Sequence, residues 1–507
     1  MRRDFAIMLA LLIAAVGVVP WAHGTVNEAK DQVEIRETIL YGDSFWAEGL
    51  EVGFNSKLKD QIFWDTTFWP GTDRVEETEY RYYLEGSVTS DTDAWKHDVT
   101  VRLVPPGDLF NIADTNFKEL KDLVGTNAED GNYYYEYLYR PVVDVISRAN
   151  DTGIWEETVK LNRYYEFYPL TFQFHAPDRN IRMEGSLNDA LEEILRIPVP
   201  EEHQVTVTIE NNWRGGMVTH AEVARPDDRP VSIYELKYSH VLTEDALYLL
   251  IHNQINGEKP LDFSQFKEGY GIYRVLLQND GATKVMDIED MSNCFTIDEG
   301  NVMTCDLKLN QEQDELILLT VENDELWMTF IDLETMEVSQ KVKLTDSPII
   351  TYLDWTTDRK ITAVETVRNT FVYETFIVVH TTGNRMILVT KTDALPGDDV
   401  WKPEWIVSAD ALSTGSLSLK IDDSTKFDWD GNRLALAIET GIGELERSMK
   451  LSVFTEEGMQ FLADYGTEEE QILHYVVGDR DYYTRRSHSY RADLAMQEAV
   501  PVTIHWE

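Results

Sequence analysis

Cysteine is almost missing from this chain of 507 residues, which carries two, Cys294 and Cys305. Neither stands in a Cys-x-x-Cys pair, and the step between them fits no zinc motif. The chain has no Gly-x-Ser-x-Gly elbow, no His-Glu-x-x-His and no glycine-rich phosphate loop, so the common hydrolase, zinc-protease and nucleotide signatures are excluded. Basic residues are scarce as well: 45 Lys and Arg stand against 91 Asp and Glu, for a net charge of −46. Such a surface repels phosphate, which excludes nucleic acid as a partner. Histidine is thinly spread, and a lone one on a strand, such as His252 or His380, reads as a hydrogen-bonded or surface residue rather than a ligand. Long apolar runs are missing except at the N-terminus.

That one run is informative. Met1-Arg2-Arg3 precedes an apolar stretch from Phe5 to Val19, then Pro20 and Ala22-His23-Gly24. The order is that of an export signal, with Ala22 and Gly24 at the small positions a signal peptidase wants and cleavage expected before Thr25. The other reading is an uncleaved anchor, since residues 5–22 approach the roughly 20 apolar residues of a spanning helix. Either way the rest of the chain lies outside the cytoplasmic membrane. Residues 25–35 form a linker.

Downstream, short runs rich in Val, Ile, Tyr, Phe, Trp and Thr are punctuated by Gly, Asn, Asp and Pro, which is strand patterning. The expected strands include Gln61–Trp69, Ala246–His252, Glu315–Val321, Leu326–Leu333, Phe371–Thr381 and Leu434–Glu439. Two short helical faces interrupt them, Phe117–Gly125 and Ser186–Leu195, neither long enough for crossovers in a parallel sheet. The fold class is all-β with short helical insertions. In an oxidising compartment Cys294 and Cys305 are expected to form a disulfide, because folding the segment about Glu299-Gly300 sets the two sulfurs opposite each other across a hairpin.

An internal repeat carries the organisation. When Leu353–Thr366 is laid over the segment 74 residues later, Asp354 meets Asp428, Trp355 meets Trp429, Arg359 meets Arg433, Ala363 meets Ala437, Glu365 meets Glu439 and Thr366 meets Thr440. Looser copies are Leu242–Leu249 and Asn310–Ile317. The turn and strand Phe427–Leu436 resembles the opening of blades in bacterial extracytoplasmic β-propeller repeat proteins. Phe330–Val338 resembles the hairpin that closes such blades, with Met336 where glycine is usual. The resemblance covers residues 236–507 and brings no catalytic residue with it. It implies a β-propeller of about seven or eight mostly four-stranded blades over residues 36–507, with irregular blades, or a separate β domain, over 36–235. The terminal run Val500–Trp506 is a strand able to complete a blade begun near the N-terminus.

Acidic loops such as Asp298-Glu299, Glu322–Glu325 and Asp422-Asp423 read as solvated edges; no cofactor is expected, and structural calcium is the minor alternative. Aromatic clusters at Trp64–Trp69, Tyr133–Tyr139 and Tyr164–Tyr168 suit packing between sheets better than sugar stacking. The one basic, aromatic segment holds Arg485, Arg486, His488 and Arg491, placed to bind an acidic ligand or to pair with acids of the chain itself. The functional expectation is a non-catalytic binding or scaffold module that contacts a protein or a glycan and touches the membrane only through residues 5–22 if they are retained. The alternatives are an extracellular glycan hydrolase or lyase and the sensor ectodomain of a membrane complex.

Overall fold

The computed structural model describes residues 35–58, 62–82, 98–103, 153–160, 166–167, 170–175, 181–184, 194–198, 204–212, 215–224, 237–253, 263–280, 283–287, 290–298, 302–354, 359–393, 399–408, 413–414, 417–419, 421–440, 447–467 and 503–506. They are nearly all strand, as the sequence patterning predicts. The export segment, both helical faces apart from Ile194 and Leu195, and the Arg485–Arg491 segment lie outside the described residues. Among those described, no helix is long and apolar enough to cross a membrane.

Several sheets are four-stranded and follow chain order. One runs Val302–Leu309, Glu315–Glu322, Glu325–Asp332, Val338–Asp346. Another runs Val367–Val372, Phe376–Thr381, Met386–Asp393, Asp399–Val407. A third begins Tyr238–Leu242, Ala246–Ile251, Gly271–Asp280, with Ser292–Thr296 and Thr283–Asp287 both pairing with Gly271–Asp280. The earlier part of the chain is less regular, for example in the three-stranded sheet Gly215–Ala224, Gln204–Asn212, Gly153–Lys160.

The chain divides into two compact units: Met1–Asp91 with Asn384–Leu388 and Glu404–Glu507, and Thr92–Gly383 with Val389–Pro403. In the second unit, burial falls off across a sheet. Ala246–Ile251 and Phe376–Thr381 are buried at every residue, whereas Val338–Asp346 is exposed along most of its length. A second strand buried on both faces needs cover from both sides, which explains unbroken apolar runs such as Leu316-Ile317-Leu318-Leu319. Each of these four side chains, at most 3% exposed, contributes about 1.5–3 kcal/mol through burial. First strands lie side by side as well: Tyr238–Leu242 is beside Val302–Leu309, which is beside Val367–Val372.

The repeat found in the sequence is a hairpin in both copies, a two-stranded sheet of its own in the first and the edge pair of a five-stranded sheet in the second. Asp354 pairs with Arg359 in one copy and Trp429 with Leu434 in the other, so the pairing is offset by one residue from the sequence alignment. Polar side chains at the loop entrance close three of these turns. Thr243 Oγ1 accepts the Ala246 N–H, Asn310 Oδ1 accepts those of Asp314 and Glu315, and Asp430 Oδ1 accepts those of Asn432 and Arg433. Met336 does occupy a left-handed position, φ 56°, in the hairpin after Glu325–Asp332, where Asp332 Oδ1 accepts the Thr335 N–H at 2.7 Å. The predicted single strand Phe371–Thr381 is instead two strands. Tyr373 and Phe376 close a turn between them by hydrogen bonding and by stacking at 4.4 Å, with no Gly or Pro to mark it.

The expected disulfide is absent, and both cysteines are free. Ser292–Thr296 pairs with Gly271–Asp280, while Val302–Leu309 pairs with Glu315–Glu322. The segment between the cysteines therefore passes from one sheet to the next rather than folding back as a hairpin. Cys294 Sγ donates to Ile272 O at 3.3 Å and Cys305 Sγ to Met303 O at 3.7 Å.

In the first unit the ends of the chain cross over. Ile35–Gly42 pairs antiparallel with Gly458–Thr467, forming the outer strand of the sheet Gly458–Thr467, Arg447–Thr455, Leu434–Thr440, Lys426–Trp429. Conversely Thr503–Trp506 pairs antiparallel with Leu50–Leu58, and that sheet continues to Ile62–Phe68 and Glu77–Tyr82. The C-terminal run thus completes a sheet begun near the N-terminus, as its sequence suggests. Leu50, Val52, Phe68, Leu451, Phe461 and Trp506 share one core cluster.

Candidate functional site

Two features have chemical potential, one buried and one exposed. In the second unit, the ends where first strands begin and second strands finish collect buried polar side chains. Ser239 Oγ donates to Asp306 Oδ1 at 2.9 Å and lies 2.9 Å from His252 Nε2, joining two neighbouring sheets. Since the single hydroxyl proton goes to Asp306, His252 Nε2–H donates to Ser239 Oγ, and Nδ1 carries the bare lone pair. That Nδ1 is buried and has no partner in good hydrogen-bonding geometry, although the Thr304 main chain is near enough to raise the pKa slightly. Burial lowers the His252 pKa to about 4, with the Asp306 carboxylate opposing in part. Asp306 Oδ1 also accepts the Leu307 N–H at 2.9 Å, and its Oδ2 lies 3.7 Å from Lys308 Nζ.

Next to this chain of bonds, Asn253 spans the same two sheets. Its Nδ2 donates to Val302 O at 2.7 Å and its Oδ1 accepts the Thr304 N–H at 3.1 Å. Tyr270 OH bonds Ile251 O at 3.0 Å and Thr304 Oγ1 at 2.5 Å. Cys305 follows Thr304, and burial pushes its thiol up to about 12; burial likewise raises Cys294 to about 11. Both are therefore protonated, unreactive thiols at neutral pH. Further along, the buried Glu365 carboxylate accepts the Thr381 hydroxyl, and a side chain at Gly383 would collide with it.

Serine, histidine and aspartate meet here in the wrong order for nucleophilic catalysis. A serine nucleophile must give its proton to histidine, whereas Ser239 gives it to Asp306. A histidine with pKa about 4 is also a weak base near neutrality. The trio is a polar tie between sheets. Sequence reading left His252 as an ordinary strand histidine and missed its partners, because Ser239 and Asp306 are 67 positions apart. Among the described residues no group of three or more His, Cys, Asp or Glu could hold a metal ion.

The exposed feature belongs to the first unit. Ile39, Leu40 and Tyr41 are 47%, 37% and 46% exposed on the outer strand Ile35–Gly42, and Phe45 is 56% exposed on the 3-10 turn Ser44–Ala47 that follows. Asp43 caps this turn, its Oδ1 accepting the Phe45 N–H at 3.0 Å. Arg433, from the repeated hairpin, fastens the turn from below through Trp46 O at 3.0 Å and Glu48 O at 3.1 Å. The same guanidinium covers the Trp506 ring at 4.0 Å, while Asp428 Oδ2 accepts the Trp506 N–H at 2.6 Å. Three apolar residues in succession, Ile39-Leu40-Tyr41, between polar neighbours were the available sequence signal for this strip.

A scan against protein-family models finds no match, and a search of curated proteins finds none. Among solved structures, the chain is similar to the Cps50 (Swd1) β-propeller domain of Myceliophteria thermophila, with TM-score 0.24 and 9% identity, over 53% of this chain and 93% of that one. It is also similar to a 6-phosphogluconolactonase candidate from Bacteroides uniformis, with TM-score 0.24 and 8% identity, over 52% and 71% of the two chains. A protein from Lactobacillus plantarum follows with TM-score 0.21 and 7% identity, over 58% and 88%.

Proposed function

We propose that this chain is an extracytoplasmic β-propeller of seven or eight mostly four-stranded blades that binds a protein or glycan partner without transforming it. Second strands buried on both faces and first strands lying side by side support the ring architecture. The C-terminal strand seated in an N-terminal sheet supports closure by the ends of the chain. The export-like order of residues 1–24 supports a place outside the cytoplasmic membrane, free or anchored.

The observation that carries the binding role is where the chain spends its side chains. Its buried histidine and the half-buried serine and aspartate beside it are engaged in internal ties, while apolar side chains are held out on an outer strand and the capped turn that follows it. The test is to incubate the purified chain with a panel of polysaccharides and extracellular matrix proteins. Retention of intact material by the protein supports the reading. Accumulation of shortened glycan in proportion to protein concentration would replace it with an enzyme. Mass spectrometry of the exported protein fixes whether residues 1–24 are removed.

A further inference from the structure

We propose that the strip formed by Ile39, Leu40, Tyr41 and Phe45 takes an extended, apolar protein segment bearing lysine or arginine, an inference that rests on the binding reading above. Three properties converge on this occupant. The strand Ile35–Gly42 is exposed at seven of its eight residues and is the outer strand of its sheet among the described residues, the geometry by which an extended partner adds to a sheet edge. Its register slips between Ile39 and Tyr41, which inserts Leu40 as an extra residue and re-aims the neighbouring side chains. The strip is also built in advance: Asp43 caps the turn, Arg433 pins it, and Trp46 packs Phe45 at 4.9 Å while itself resting on the core. A partner meets side chains that lose little further freedom.

Charge decides the chemistry of that partner. Glu37, Asp43 and Glu48 stand on the strip's own strand and turn, Glu37 accepting the Tyr465 hydroxyl and Asp43 the Phe45 N–H, so that both carboxylates are held beside it. The loop after Ile62–Phe68 approaches from the side, because Gly71, at φ 71°, lies against the Ser44 carbonyl where any side chain would clash. That loop adds Asp73 and Glu76, and Glu77 beyond it balances Arg74. The cations nearby are Arg36, Arg74 and Arg433; Arg74 is engaged over the Trp69 ring at 3.2 Å and with Glu77 at 3.7 Å, and Arg433 is paired with Asp430 at 2.7 Å. A second copy of this chain would bring the same acids face to face, and an anionic lipid surface would be repelled; a cationic, apolar segment meets neither penalty. Tyr41 and Phe45 could stack on a sugar ring, but Ile39 and Leu40 add aliphatic surface that sugar hydroxyls do not use, and an open strand edge suits a main chain, which together favour peptide over glycan.

The probe is a fluorescein-labelled ten-residue peptide of alternating lysine and leucine, followed by anisotropy in physiological salt. The wild-type chain binds it, and the Leu40→Ser/Phe45→Ser double variant loses at least about ten-fold in affinity, the worth of partial burial of two large side chains. Both side chains are exposed, so the variant folds; its thermal unfolding is checked against wild type. Val338→Ser and Ile349→Ser, which remove apolar residues exposed elsewhere, stay within about two-fold. Glu48→Lys weakens binding, and a peptide of alternating glutamate and leucine does not bind. A peptide methylated on alternate backbone nitrogens loses affinity because it cannot hydrogen-bond to the strand edge. Equal affinity of the double variant and wild type, or equal binding of the glutamate peptide, overturns the proposal. Failure of the lysine peptide while the matrix panel still retains a partner refutes this occupant and leaves the binding role standing.

Discussion

Acidification from neutrality places a proton on the imidazole of His252 in the unfolded chain well before it can do so in the folded one. The unfolded side chain titrates at 6.5, and burial holds the folded one at about 4. With the folded value depressed, the stability linked to this residue is fully present above pH 6.5, falls as the pH drops toward 4, and is level below that. The shift corresponds to about 3 kcal/mol in full, with losses of about 1.4 kcal/mol at pH 5.5 and about 2 kcal/mol at pH 5.0. The lower limit stays above the sequence pI of about 4.5, where solubility fails. Urea unfolding followed by tryptophan fluorescence measures this, provided carboxylate titrations are cancelled. His252→Gln does so, since its amide N–H can still donate to Ser239 Oγ but does not titrate. The stability of wild type minus that of the variant should fall by about 2 kcal/mol between pH 7.5 and 5.0. A difference that stays level within about 0.5 kcal/mol over that range would refute a buried, neutral His252 and with it the direction of the tie to Asp306.

Met336→Gly removes a side chain from a left-handed position and should stabilise the second unit by up to about 1 kcal/mol, seen as a raised urea midpoint. Gly42→Ala should destabilise the first unit by at least about 1–3 kcal/mol, because φ is 74° there and a β-carbon would collide with the Gln460 carbonyl; thermal unfolding reads it. Trp506→Ala should cost about 3–5 kcal/mol, since the ring is 7% exposed and shares a core with Leu50 and Phe461; a midpoint equal to wild type would deny the C-terminal strand its place. Cys305 should resist a thiol reagent at pH 8 until urea is added, and non-reducing mass spectrometry should find both cysteines reduced.

Local chemistry was legible in the sequence and distant pairing was not. Turns announced by Asn310 or Asp430, and strands such as Leu316–Val321 with unbroken apolar composition, follow from residues within a few positions of one another. The C-terminal strand was legible for the same reason. The turn at Tyr373–Phe376 carries no glycine, proline or asparagine, and so was read as continuous strand. Cys294 and Cys305 were paired by counting across a hairpin that does not form, because each strand finds a better partner in a different sheet. The tie among Ser239, His252 and Asp306 depends on which sheets become neighbours, which no local pattern encodes. Ile35–Gly42 was not singled out as a strand, because its alternation is weak and its partner strand lies more than 400 residues away.

The exchange of terminal strands has a consequence for the order of events during synthesis. A ribosome releases Ile35–Gly42 hundreds of residues before Gly458–Thr467 exists, and Leu50–Leu58 waits longer still for Thr503–Trp506. The first of these sheets gains its outer strand only once Gly458–Thr467 has been made, and the second only once Thr503–Trp506 has. Over that interval each early strand keeps an edge without its eventual neighbour, so the yield of the first unit depends on that edge staying clear of other chains.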